Sequence, residues 1–510
     1  MRNNWSFLSF ILMVAMGTYE AVPTRGAETK AATKLTILQI NDSHAYIEPH
    51  QEAFAGPNGF VYHEAGGYAR IAGLVREIRR EAGGNVFFGD CGDTFFGTYP
   101  AARSQGGVMP PILNAMGIDA MTPHWEFVFG PKRFRELAKQ LNYPVLAINI
   151  YEKDSGQRAF PPYVMKEVGG LKLGIIGIAS NIVDKTMPPA YSEGLRFTLG
   201  REEFSGFVQE VRQKENADVV IVISHLGFPQ DIKLLSEVQG VDVCLSGHTH
   251  NRLYQPALAG KTIVIQSGCQ GSFVGRLDLT VQAGQITDYK HKLIEVSPDL
   301  TPDPAVESVI RKQLASYEHA LAEVVGETAT ALNRNTMLEA TMDNLLLDAL
   351  LDATGAQMAF SNGWRWGAPV VPGKITLNDL YNIIVVNPPV STVELTGREL
   401  AAMLEENYER TFSGDAFEQM GGYAKRCAGI TVHIKVENPK GTRIQKLFVG
   451  KEEVQPDKVY KAAYVTQQGV PAKYGRNHQH LPKDAVTALR EYLAKHKPAR
   501  ADLRGSVIAE

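Results

Sequence analysis

The chain has 510 residues, 44% of them apolar, which on a prior of about 150 residues per domain implies two to four domains. Its 52 basic and 55 acidic residues are interspersed and leave a net charge of −3, so no clustered positive face marks it as a nucleic-acid binder. Four cysteines, Cys91, Cys244, Cys269 and Cys427, are too few and too scattered for a disulfide framework.

Residues 1–27 begin with Arg2, continue through a mostly apolar run at 5–16 and turn polar, the pattern of a cleaved export signal with Gly17 and Ala27 as alternative cleavage points. The run is too short to span a bilayer as a mature helix. The mature protein is therefore expected in the periplasm, with no membrane association. A catalytic domain is expected over 34–298. Its first strand, at 35–40, leads into Asn41-Asp42-Ser43-His44, where a carboxylate and an imidazole two residues apart share one side of an extended chain. Helical spacing follows at 68–80, with Ile71, Leu74, Val75 and Ile78 on one face. The apolar run 85–88 ends in Gly89-Asp90-Cys91-Gly92-Asp93-Thr94, a Gly-flanked carboxylate turn with room for a close ligand. Next comes Pro123-His124-Trp125-Glu126. Beyond it, a strand at 171–178 and a helix at 204–212 precede strand 219–224, which ends in His225, and strand 241–246, which ends in Gly247-His248-Thr249-His250. Strands at 262–266 and 274–280 close the sheets.

Prolines at 298, 302 and 304 mark a boundary, and residues 299–325 read as a linker helix. A second domain is expected over 326–510. Its helix at 341–352 and strand at 357–360 lead to Ser361-Asn362-Gly363-Trp364-Arg365-Trp366-Gly367. Arg365 offers a guanidinium fork suited to a sulfonate or phosphate; the competing reading is an arginine stacked between tryptophans. Asn362 sits beside it, and Arg426 is a weaker second anion contact. His478 and His480 form a pair read as solvated rather than metal-binding.

Each histidine or carboxylate alone is unremarkable. Together they lie just past strand after strand, where open α/β sheets put their ligands. Two divalent ions held there by imidazoles and one shared carboxylate would clamp an anionic substrate and activate water near neutral pH.

With these motifs the chain resembles the calcineurin-like metallophosphoesterases, in the 5'-nucleotidase branch, from about residue 34 to 505. The resemblance implies a four-layer α/β/β/α sandwich followed by an α+β C-terminal domain. It implies Asp42, His44, Asp93 and His250 around one ion, and Asp93, His124, His225 and His248 around the other. Manganese is implied by the resemblance alone; zinc or iron suits the donors equally. That branch has Gly-Asn-His-Glu where this chain has Pro-His-Trp-Glu, so an imidazole replaces an amide ligand and an indole replaces the histidine that protonates the leaving group. Indole does not titrate in the useful range. A leaving group that departs unaided is then expected. Thiols, with pKa about 8.5 against roughly 15 for alcohols, qualify, and persulfides more so.

The His-Trp-Glu variant resembles the SoxB family of thiosulfohydrolases. It implies sulfate release from a cysteine-S-thiosulfonate on a sulfur carrier of the SoxYZ type with a C-terminal cysteine arm. Nucleotidases of the branch stack the base between two aromatic residues; here only Tyr423 of Gly421-Gly422-Tyr423 remains, and the Gly-Gly-Asp-Gly loop is absent. The alternatives are a 5'-nucleotidase or sugar-nucleotide phosphohydrolase, with Trp125 as packing filler, and a non-catalytic metal- or partner-binding protein.

Overall fold

A computed structural model describes residues 31–362 and 364–510. The expected export signal at 1–27 lies outside the described residues.

Two sheets face each other in the N-terminal half. The first runs Gln285–Glu295, Phe273–Gln282, Thr33–Ile40, Val86–Asp90, Ala120–Met121; the second runs Ala257–Ala259, Thr262–Ile265, Val243–Ser246, Val219–Ser224, Leu171–Ile178, Tyr163–Val168. The four inner strands of the second sheet are parallel, as are Thr33–Ile40, Val86–Asp90 and Ala120–Met121 in the first. Strand periodicity explains the layers. Leu35, Ile37, Phe87, Ile221, Ile223 and Leu245 point between the sheets, while Leu38, Ile40 and Phe88 face helices on one outer surface and Val220 and Val222 face helices on the other. Strands buried on both faces read as continuous Val/Ile runs, which is why they were legible in the sequence. The result is the expected four-layer α/β/β/α sandwich.

The segment expected as one linker helix is two. Helix Pro304–Leu314, capped by the Asp303 carboxylate accepting from the Ala305 and Val306 amides, gives way to a 3-10 turn at Ala315–Tyr317 and a short helix Glu318–Ala322. The first of these packs against helices Tyr68–Glu81 and Met109–Met116, with Val306, Ile310 and Leu314 buried. Strand Val324–Thr328 pairs with Gly373–Thr376 and so runs across residue 326. The C-terminal half is α+β, as expected. Its five-stranded sheet runs Arg426–Ala428, Met358–Ser361, Val459–Tyr464, Pro389–Thr396, Arg476–Asp484, and a four-stranded sheet includes Ile430–Ile434 and Val507–Ala509. All four cysteines are buried and unpaired. His50–Gly56 and Gly59–Ala65 form a hairpin.

Candidate metal centre

The loops that leave the parallel strands at their C-terminal ends converge. Asp42, His44, Asp93 and His250 bring one ligand atom each within 4.8 Å of one another, and Asp93, His124, His225 and His248 do the same. Asp93 belongs to both groups. The seven residues singled out from the sequence as ligands thus form one buried cluster of two carboxylates and five imidazoles.

Backbone geometry builds it. Asp42, His44, Asp93, His248 and His250 all have positive φ, between 46° and 69°. A non-glycine residue there is disfavoured by about 1 kcal/mol or more, so surrounding contacts must hold each in place. They do. The Asp42 amide donates to Gly92 O at 2.9 Å and the His44 amide to Asp93 O at 2.7 Å, which zips the two ligand turns together. Gly92, at φ 87°, has Thr122 O only 2.2 Å from where a Cβ would sit, so no larger residue fits that turn. Asp42 Oδ2 accepts from the His248 amide at 2.9 Å and Asn41 Nδ2 at 2.7 Å, and Asp93 Oδ1 accepts from the Trp125 amide at 2.7 Å.

Two groups that the sequence reading passed over fix the turns. Glu126, fully buried, accepts from the Thr94 amide at 2.7 Å through one oxygen and from the His124 amide at 2.6 Å through the other, tying the segment carrying His124 to the one carrying Asp93. Asp90 accepts from Thr94 Oγ1 and the Gly92 amide, and burial pushes its carboxyl up to about 7. Both lie inside the motifs quoted above, three or fewer residues from a ligand; their strand-end position was the available signal.

The donor set fits divalent ions. His225 Nδ1 donates to Cys91 O and His44 Nδ1 reaches Phe96 O at 3.2 Å, so each turns its Nε2 inward with the tautomer fixed from behind. Asp42 Oδ1 is buried without a hydrogen-bond partner, an arrangement that is unfavourable unless something else engages it, while His124 Nδ1 and His250 Nε2 face Asp93 and Asp42 at 3.0 and 3.1 Å. Charge behaviour agrees. Burial works against ionising Asp93, yet His124 and His225 hold its carboxyl well below the usual range. Burial likewise opposes a proton on His225, but Asp93 and Asp42 raise it to about 10. Burial lowers His44 to about 4 and keeps His124 and His248 below their ordinary value, leaving lone pairs available.

The cluster opens into a cleft of about 460 Å³ between the two halves of the chain. Trp366 stacks on His44 (centroids 4.8 Å, 19° between planes) and meets Trp125 edge-on at 4.9 Å; Trp125 in turn stacks on Phe96 at 5.8 Å. An aromatic wall thus stands beside the ligands. Tyr46 OH accepts from the Ala368 amide at 2.8 Å and joins the halves at this point.

Arg365 and Asn362 line the same cleft. Arg365 is nine-tenths buried and its guanidinium has no hydrogen-bond or ion-pair partner among the described residues. Gly421 packs against it: a Cβ there would sit 2.1 Å from His248 Nε2 and 2.9 Å from Arg365 Nη2. Asn362 Nδ2 donates to Gln468 Oε1 at 2.9 Å and its Oδ1 is unpartnered.

Arg426 is not brought to the cleft. It is buried with its Nε 3.2 Å from Asp343 Oδ2, and its terminal nitrogens donate to Met337 O at 3.1 Å and Thr336 O at 2.5 Å. Its place on strand Arg426–Ala428, one residue on from Lys425, turns it inward by strand alternation. The expectation that it contacts an anion is corrected accordingly. Tyr423 lies against Arg426, its ring 4.9 Å from that guanidinium. His478 and His480, on strand Arg476–Asp484, bond to Tyr464 OH at 2.9 Å and Ser391 Oγ at 2.8 Å.

Comparison with known proteins gives two matching family models: calcineurin-like phosphoesterase over residues 35–252 and 5'-nucleotidase, C-terminal domain over 322–467. Among solved structures, Thermus thermophilus sulfate thiohydrolase SoxB superposes with a TM-score of 0.87 at 25% identity, covering 93% of this chain and 96% of that one. A 5'-nucleotidase precursor from the same species gives 0.82 at 23%, covering 93% and 99%, and speaks to the fold alone. Among sequences, the 5'-nucleotidase of Bos taurus is 26% identical over 482 residues, covering 84% of this chain and 81% of that protein. The trifunctional nucleotide phosphoesterase YfkN of Bacillus subtilis is 23% identical over 487 residues, 84% of this chain but only 31% of its own length.

Proposed function

Because the chain is a hydrolase of the metallophosphoesterase family, joining a calcineurin-like phosphoesterase domain to a 5'-nucleotidase C-terminal domain, we propose that it is a thiosulfohydrolase. In this reading it releases sulfate from a cysteine-S-thiosulfonate on an exported sulfur carrier. The observation that carries the reading is Trp125. At the position where the nucleotidase branch has its proton-donating histidine, an indole is packed between Phe96 and Trp366 and forms the wall of the cleft. The likeness to the solved SoxB, at 25% identity over almost the whole chain, supports the same reading.

Asp42, His44, Asp93 and His250 would hold one divalent ion, and Asp93, His124, His225 and His248 the other. When bound, the pair supplies Lewis acidity toward the substrate's oxygens and toward water. This chain's own residues do the rest. The unpaired Arg365 fork grips the terminal sulfonate, and Asn362 Oδ1 stands ready to accept beside it. Trp125 and Trp366 give the sulfane sulfur an apolar, polarisable surface; sulfur sits favourably about 5 Å from aromatic rings. The persulfide leaves as an anion, so no protein group has to protonate it. The sequence retains only one half of the base clamp, Tyr423, and in nucleic-acid binders each stacked base contributes about 1–3 kcal/mol. Export to the periplasm, manganese and a carrier with a C-terminal cysteine arm belong to the same proposal.

The test is to compare turnover of a thiosulfonated carrier peptide with that of AMP by the manganese-loaded protein. Sulfate release with little phosphate release is expected. Comparable or greater turnover of AMP would return the chain to the 5'-nucleotidase reading, which the names of its sequence relatives favour.

A further inference from the structure

The cleft carries a cation that the reaction just described does not use. Lys425 lines it and is 4% exposed. Its backbone is fixed by the amide donating to Asn407 Oδ1 at 2.6 Å, and its ammonium donates to Gln468 O at 2.6 Å and Gly469 O at 2.8 Å. No carboxylate lies within ion-pair distance of it among the described residues, and one of its three N–H groups has no protein partner. A buried charge is ordinarily paired, because removing an ammonium from water without a counter-charge costs several kcal/mol.

The acid that might have paired with it is engaged elsewhere. Glu406 is bound by Arg410 at 2.6 Å, by Lys473 at 2.7 Å and by the Tyr474 hydroxyl at 2.6 Å. Those three donors engage both of its oxygens. Around Lys425, Arg410 and Lys473 there are three positive charges against one negative, in the cleft that also contains the histidine cluster. Burial first, and then Arg410, draw the Lys425 ammonium down to about 7. The charged groups that act on it most are Arg410 and Glu406, whereas those acting on Arg365 include Asp42 and Asp93. The two cations therefore serve different parts of one cleft.

We propose that Lys425 is a second anion-recognition point, which takes an oxyanion of the substrate other than the one being hydrolysed. It rests on the histidine cluster being where hydrolysis occurs, and it narrows the substrate class to molecules with two separated anionic groups. The shared chemistry is a carboxylate or phosphate oxygen accepting from a buried ammonium; its source is the carboxyl terminus of a peptide or a further phosphate of a nucleotide. An anion there restores the proton that burial discourages, so binding above neutral pH takes up a proton.

The experiment is calorimetric titration of the manganese-loaded protein with two ligand pairs, each differing by one remote anion. One pair is an S-sulfonated cysteinyl-glycyl-glycine peptide as the free acid and as the C-terminal amide. The other is adenosine 3',5'-bisphosphate and AMP. Wild type should prefer the member carrying the second anionic group of one pair by about tenfold or more, consistent with a charge-assisted hydrogen bond. The preference should fall to near one in Lys425→Met and persist in Lys425→Arg. At pH 8, proton uptake read from buffers of different ionisation enthalpy should accompany it and vanish in Lys425→Met. A preference confined to the nucleotide pair would leave this subsite standing and overturn the carrier reading. No preference in either pair, or one unchanged in both Lys425→Met and Lys425→Gln, overturns the subsite. Because binding is read directly, that outcome is distinct from a failure of hydrolysis.

Discussion

Replacing Lys425 with methionine isolates the stability penalty of a buried ammonium. Burial lowers its pKa from 10.5 to about 7. Below about 7 both the folded and the unfolded chain hold the proton, and the penalty is present in full. Between about 7 and 10.5 the unfolded chain still holds it while the folded protein does not, so unfolding takes up a proton and stability rises with pH. From pH 6 to pH 9 the window crossed is about two units, worth about 2.7 kcal/mol at 1.36 kcal/mol per unit. The side chain is fully buried, so solvent does not screen this away. Methionine keeps the apolar stem, one atom shorter without the ammonium, but strands the carbonyls of Gln468 and Gly469. That loss is independent of pH and cancels in the comparison. Urea unfolding of both proteins at pH 6 and pH 9, followed by the fluorescence of Trp125, Trp364 and Trp366, gives four midpoints. The wild type should gain about 2–3 kcal/mol more than Lys425→Met between the two pH values. Equal gains, within about 0.5 kcal/mol, would mean that Lys425 keeps its proton through the range, and the picture of an uncompensated buried cation would be wrong.

His124→Ala should lose about one metal ion per chain, read by elemental analysis after dialysis; retention of two would remove His124 from the ligand set. Arg365→Lys should cut sulfate release from a thiosulfonated peptide nearly as far as Arg365→Ala, because a point charge cannot reproduce the fork; variants equal to wild type, with their ions retained, would place the sulfonate grip elsewhere. Trp366→Ala removes the ring stacked on His44 and should lower stability by about 3–5 kcal/mol together with metal affinity; an unchanged melting temperature and metal content would show that the wall is dispensable.

The sandwich and the seven-residue cluster were legible because each rests on local signals: doubly buried strands read as Val/Ile runs, and the groups just beyond them must converge when the strands are parallel. What was missed depends on contacts between distant segments. Glu126 stood inside a quoted motif, but its bond to the Thr94 amide joins turns 32 residues apart in sequence. Trp366 gave no hint that it would stack on His44, since that contact exists only when the halves meet. Arg426 is held against Asp343 through strand pairing with Met358–Ser361, a long-range contact that no local signal in its glycine-rich stretch marks. Lys425 went unnoticed for the converse reason: nothing in a sequence marks which lysine will be left without an acid.

The left-handed backbone at five of the seven clustered residues bears on how such a site can diversify. At Asp42, His44, Asp93, His248 and His250, a β-branched residue would clash with its own backbone, so drift is confined to asparagine, aspartate, histidine and glycine, and few of those supply the donor that is there now. His124 and His225 are different: neither has a positive φ, and His124 has φ −148° with ψ −84°. The freedom to exchange one donor for another is thus left to two positions, one of them next to the residue that decides whether a proton can be delivered. A lineage on this scaffold could change its chemistry at 124 and 125 while those five positions stay locked by their own main chain.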